Sequence, residues 1–132
     1  MQVKIFSDGG ARGNPGPAAS GVVIKNMAGE NLAAFGKYLG EQTNNYAEYM
    51  GLILGLTRAL ELGATEVECV LDSELVTKQM KREYRVKEPG LQKLYLQAYN
   101  LTTKFKKVKF THIMRAGNKE ADKLVNEALD KR

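Results

Sequence analysis

The chain opens in alternation: Val3 and Ile5 fall on one side and Lys4 and Phe6 on the other, the period of a half-buried strand that runs straight into Asp8. Between Gly9 and Pro17 the pattern stops, and four glycines and two prolines in nine residues predict a structured loop there. Ser20 to Lys25 and Leu32 to Tyr38 read as two more strands, joined by a turn at Asn26, Met27, Ala28 and Gly29. Three strands on short connections predict an antiparallel meander. From Asn45 the period becomes helical, with Leu52, Leu56, Ala59 and Leu60 on one stripe and Gly63 where a helix ends. Glu66 to Leu71 reads as a fourth strand, with a short helix after Asp72. Pro89 suits a helix start, and Leu91, Leu94, Ala98 and Leu101 carry an apolar stripe to about Thr103. Val108 to Met114 is the last strand, and Asn118 is placed to cap a final helix with the stripe Ala121, Leu124, Val125 and Ala128. This order predicts an α/β fold, a mixed sheet with helices on its faces.

Composition narrows the picture further. With 132 residues, 43% of them hydrophobic, the chain is expected to form one domain, residues 1–132, around a single core. It carries 20 Lys+Arg against 15 Asp+Glu, a formal net charge of +5. The excess is bunched, with Lys78, Lys81, Arg82, Arg85 and Lys87 in one group and Lys104, Lys106, Lys107 and Lys109 in another. A polyanionic partner fits this pattern, and so do two solvated faces. The single cysteine, Cys69, lies in the apolar run Val67 to Leu71 and reads as a core residue. No apolar segment opens the chain, and none approaches the roughly 18 residues of a spanning helix, so a cytoplasmic protein away from membranes is expected.

Four carboxylates stand out. Asp8 ends the first strand and precedes glycines that leave room for something to approach, although an aspartate before glycine is commonly a turn former. Glu48 lies on the stripe of Leu52 and Leu56, an inward position for which its own helical turn, Thr43 to Tyr46, offers no cation, although a glutamate near a helix start commonly just complements the helix dipole. Asp72 closes a strand where a helix begins, the place of an N-cap and also of the crevices in open sheets. Asp122 lies one turn into the last helix, on the border of core and water. Two strand ends and two first helical turns can meet at one edge of a sheet. Four carboxylates meeting there would repel without cations, and their hard oxygens suit Mg²⁺ or Mn²⁺. A single histidine, His112, and a single cysteine exclude a His/Cys zinc site, and His112, inside a strand, reads as packing.

The run Ser7-Asp8-Gly9-Gly10-Ala11-Arg12-Gly13-Asn14-Pro15-Gly16-Pro17 resembles the opening motif of the ribonuclease H type 1 family. Thr43-Asn44-Asn45-Tyr46-Ala47-Glu48, Asp72-Ser73 and Asn118-Lys119-Glu120-Ala121-Asp122 resemble its other three motifs, in order. The resemblance implies a five-stranded mixed sheet, three strands antiparallel and then two parallel, flanked by helices. It implies an endoribonuclease that cuts the RNA strand of RNA/DNA hybrids with two Mg²⁺ or Mn²⁺ ions on Asp8, Glu48, Asp72 and Asp122, leaving 5′-phosphate and 3′-hydroxyl ends. Gly10, Asn14, Thr43, Asn44 and Asn45 match family positions beside the hybrid, where 2′-hydroxyls tell RNA from DNA. A monomer is expected, with double-stranded RNA open as a further substrate.

Three departures qualify the resemblance. The loop Arg115, Ala116, Gly117 lacks a histidine that family members often carry there; Arg115 reads equally as a group that engages phosphate in its stead and as a solvated loop arginine. Only Lys81 to Lys87 could replace the long basic protrusion of some relatives. Glu74 stands where some members have a neutral glutamine. Among competing readings, a non-catalytic module binding hybrid or double-stranded RNA explains the lysines and asparagines but gives no reason for four carboxylates. A nucleotide-binding loop fails because Pro15 and Pro17 exclude a helix start and no Gly-Lys-Ser/Thr follows.

Overall fold

A computed structural model describes residues 1–132. Strands β1 (Gln2–Ala11), β2 (Gly16–Asn26) and β3 (Asn31–Gln42) lead into helix α1 (Asn44–Glu61). Then come β4 (Glu66–Leu71), α2 (Glu74–Met80), α3 (Pro89–Thr102), β5 (Lys107–His112), a 3₁₀ turn over Arg115–Gly117 and α4 (Lys119–Asp130). The strands form one sheet in the order β3-β2-β1-β4-β5. The pairs β1/β2 and β2/β3 are antiparallel, and β1/β4 and β4/β5 are parallel, the five-stranded mixed sheet expected.

The Gly9–Pro17 expectation is corrected. Only residues 12–15 form the loop, because β1 continues to Ala11 and β2 begins at Gly16, pairing Gly9 with Ser20 and Ala11 with Ala18. Gly9 breaks no strand. A Cβ on it would lie 2.2 Å from the carbonyl carbon and oxygen of Ala47 in α1, so the glycine serves close approach of a helix. Gly13 bends the loop, at φ +103. β2 and β3 likewise outrun their hydrophobic alternation, since backbone pairing persists along the meander. The Asn26 turn is as expected: its side-chain oxygen accepts from the N–H groups of Ala28 and Glu30 at 3.0 Å, and Gly29 adopts φ +85.

Strand alternation assigns the two faces. Val3 and Ile5 on β1, with Val22 and Ile24 on β2, pack under Leu52 and Leu56 of α1 and continue through Cys69 and Leu71 to Leu91, Leu94 and Ala98 of α3. The opposite face is thinner, with Ala19 under Val125 and Leu129 of α4. There α4 approaches the sheet where side chains are missing: a Cβ on Gly21 would stand 2.2 Å from the Ala121 carbonyl oxygen, and one on Gly36 2.6 Å from that of Leu124. Cys69 is fully buried. No helix is long and apolar enough to cross a membrane.

Three smaller expectations also change. β5 stops at His112, and the exposed Met114 lies beyond it. His112 does not pack in the core, because β5 is an edge strand and its last residue is solvent-facing, with Nε2 3.2 Å from the Asp72 carbonyl oxygen. Asn118 occupies the N-cap position of α4 without a side-chain cap, since its amide donates instead to the buried Ser7 carbonyl at 2.9 Å.

Candidate metal and nucleic-acid site

Parallel pairing of β1 with β4 matches Ser7 to Leu71, so Asp8 and Asp72 come side by side on neighbouring strands. Asp72 lies just past the end of β4, whereas Asp8 does not end its strand as expected, because β1 runs on to Ala11. Ser73 caps α2, accepting from the Val76 N–H at 3.2 Å, which frees Asp72 from the capping role its position suggested. Thr43 caps α1 in the same way, accepting from the Tyr46 N–H at 3.2 Å. Glu48 follows one turn later, and the missing side chain of Gly9 lets its peptide lie against β1. Asp8, Glu48 and Asp72 each offer a carboxylate oxygen, all within 4.8 Å of one another.

Both Asp8 and Glu48 are buried, at 6% and 8% exposure. Burial pushes the Asp8 carboxyl up to about 7, helped by the charge of Asp72 and a contact with Asp122, while hydrogen bonds with Glu48 and the Gly9 N–H oppose the rise. Glu48 is driven well above the usual carboxylate range by burial and then by Asp8 and Asp72. Glu48 Oε2 and Asp72 Oδ2 are buried without a hydrogen-bond partner. Unpartnered carboxylate oxygens gathered out of water are costly unless a cation joins them, and an all-oxygen set is what a hard divalent ion takes. The residues therefore fit a divalent metal.

Asp122 stands apart from this tight trio. Its half-exposed carboxylate lines the same cleft and lies 3.5 Å from the Arg115 guanidinium. The cleft, about 640 Å³, also takes in Gly10, Asn44 and Asn45. Asn14 and Thr43 lie outside it. The asparagines first organise the protein: the Asn14 side-chain oxygen accepts from the Asn44 N–H at 3.0 Å, and that of Asn44 accepts from the Ala11 N–H at 2.8 Å. These bonds lock the 12–15 loop onto the start of α1 and leave the two amide NH₂ groups for a ligand. Glu74 pairs with Lys78 at 3.0 Å and does not line the cleft.

Sequence reading passed over Arg12, Ser73 and Asn126, which also line the cleft. Asn126 was recoverable, being four residues after Asp122 and so on the same helical face. Arg12 and Ser73 carried no such periodic signal.

Comparison with known proteins agrees with the geometry. A family described as reverse transcriptase-like matches residues 6–128. A bifunctional protein of Mycobacterium tuberculosis is 47% identical over 131 residues, 98% of this chain. The chain spans only 36% of that protein's length. The crystal structure of ribonuclease H1 from the archaeon Halobacterium salinarum superposes with TM-score 0.98 at 41% identity, covering 100% of both chains. LC11 ribonuclease H1 from compost, solved in complex with an RNA/DNA hybrid, gives TM-score 0.94 at 44% identity over 98% of this chain and 97% of its own. Sequence, sheet order and the placing of its carboxylates agree that the chain belongs to the reverse transcriptase-like family, within its ribonuclease H type 1 branch.

Proposed function

We propose that this chain is an endoribonuclease hydrolysing the RNA strand of RNA/DNA hybrids and leaving 5′-phosphate and 3′-hydroxyl ends. The observation that carries the reading is the trio of Asp8, Glu48 and Asp72 with its two unpartnered buried oxygens. The hybrid-bound LC11 structure supports the substrate class.

Asp8, Glu48, Asp72 and Asp122 would hold two Mg²⁺ or Mn²⁺ ions. Such a pair, when bound, activates the attacking water and stabilises the leaving 3′ oxygen of an in-line displacement. The chain's own contribution is placement. The β1/β4 register fixes Asp8 beside Asp72, the close approach of α1 at Gly9 fixes Glu48, and the first turn of α4 brings Asp122 to the rim. Asn44 and Asn45, in the cleft wall, would meet 2′-hydroxyls and so select RNA by shape and not by sequence. Arg115, beside Asp122, would meet a phosphate oxygen. The four carboxylates and the cleft need no residue from a second copy, and the enzyme is proposed to act as a monomer.

One labelled RNA, presented to the protein with Mg²⁺ as hybrid, as RNA duplex and as single strand, tests the substrate. Preferential cutting of the hybrid supports the reading. Equal cutting of the RNA duplex widens it, and binding without cutting of any form replaces it with a non-catalytic module.

A further inference from the structure

Arg12 follows β1 directly, and its guanidinium reaches the far end of α4. One terminal nitrogen lies 2.8 Å from Asp130 Oδ1 and 3.5 Å from Asn126 Oδ1. The pair is wet, with side-chain exposures of 44% for Arg12 and 66% for Asp130, so it is a weak tie. A guanidinium has about five N–H donors in a planar fork that matches phosphate. The pairing with Asp130 and Asn126 occupies one nitrogen, and the rest remain at the wall of the cleft.

That cleft runs along α4 from Asp122 through Val125 and Asn126 to Leu129. Arg115 stands at the Asp122 end, beside the acidic trio, and Arg12 at the other. From Asp122 to Asp130 the helix rises about 12 Å, at ~1.5 Å per residue. A nucleic-acid strand advances about 3.4 Å along its axis per phosphate, so for a duplex lying along α4 the span is roughly three to four nucleotide steps. Arg12 pairs with Asp130 and not with the acidic trio. The weak tie to Asp130 holds it at the rim, where an incoming phosphate can displace the exposed carboxylate at little cost.

We infer that Arg12 grips a backbone phosphate of the bound nucleic acid, roughly three to four nucleotide steps from the phosphate that is cut, exchanging Asp130 for it as substrate enters. The inference rests on the hybrid-nuclease reading and adds a contact that makes binding depend on substrate reaching beyond the cut.

Anisotropy of a fluorescein-labelled RNA/DNA hybrid with Mg²⁺, in an Asp8→Asn background between 50 and 200 mM salt, provides the test. Arg12→Gln should weaken binding by about three- to tenfold at the lower salt and reduce the slope of log affinity against log salt by about 0.9. Arg12→Lys should restore the slope, and Asp130→Asn should bind at least as tightly as the parent with the parent's slope. If Arg12→Gln matches the parent, or if it and Asp130→Asn weaken binding alike at unchanged slope, the inference is overturned and Arg12 is only a staple between loop and helix. A parent protein that does not bind hybrid would overturn the nuclease reading, and this inference with it.

Discussion

Asp8 and Asp72 stand one residue beyond the Ser7–Leu71 register pair of two parallel strands, which sets two carboxylates side by side without any turn between them. Pairing of this kind is fixed by the whole sheet, so neither residue can move away to relieve repulsion. Replacing either by asparagine removes a cation ligand and also a source of repulsion. Cleavage should fall by roughly a thousandfold or more. In chelator the same variants should be more stable than the parent, by about 1–2 kcal/mol. Rates paired with denaturant melts check both halves, and a variant that loses activity together with stability would show damage to the fold instead.

The raised carboxyls give the metal-free protein a defined pH response. Asp8 titrates near 3.8 when unfolded and at about 7 in the fold, so its favourable contribution is complete below about 4 and is lost as pH rises toward 7. Glu48 acts in the same direction. Melting temperature in chelator should therefore fall between pH 4 and pH 7, and Mg²⁺ should reverse the fall most strongly at the upper end, where ligands no longer hold protons. A melting temperature that climbs over that window in chelator would contradict the assignment of these shifts.

Glycine at position 21 is required by contact and at position 29 by conformation. Gly21→Ala places a Cβ 2.2 Å from the Ala121 carbonyl oxygen, so α4 must move off the sheet, carrying Asp122 with it. A loss of about 2–3 kcal/mol and a drop in cleavage are expected. Gly29→Ala meets no atom within 4 Å and contends only with φ +85, costing about 1 kcal/mol with cleavage unchanged. Urea melts and rates on the two variants separate the effects.

Asn118 joins two carboxylate-bearing elements, because its amide reaches the carbonyl of Ser7, the residue before Asp8, from one turn before Asp122. Asn118→Ala leaves that buried carbonyl without a donor and should cost about 1–3 kcal/mol. Activity measured well below the melting temperature should fall as well, since α4 is then free to shift Asp122. Unchanged activity in a destabilised variant would confine Asn118 to stability.

The fold was largely legible because its signals are periodic. Period-2 runs gave the meander, and Leu52, Leu56, Leu91, Leu94 and Val125 marked the helical faces that turn out buried. Hidden from that reading was backbone-to-backbone approach. Gly9 is a turn signal in sequence and a contact surface in space, which is why β1 and β2 proved longer than expected. His112 misled in the opposite way, since a strand position says nothing about lying on an edge. At the site, Asp72 could be picked from a strand end and Glu48 and Asp122 from first helical turns, whereas Asp8 lies inside β1 and not at its end. The Asn14–Asn44–Ala11 lock and the reach of Arg12 to Asp130 depend on tertiary approach across thirty residues or more, which no local pattern encodes.

The most direct test of the account is cleavage of the RNA strand in an RNA/DNA hybrid by the parent and by Asp8→Asn, each with Mg²⁺ and with chelator. The account predicts cutting by the parent with Mg²⁺ and none in the other three samples, with 5′-phosphate and 3′-hydroxyl ends on the products. Cutting that survives chelator, or that Asp8→Asn performs at the parent's rate, would contradict it.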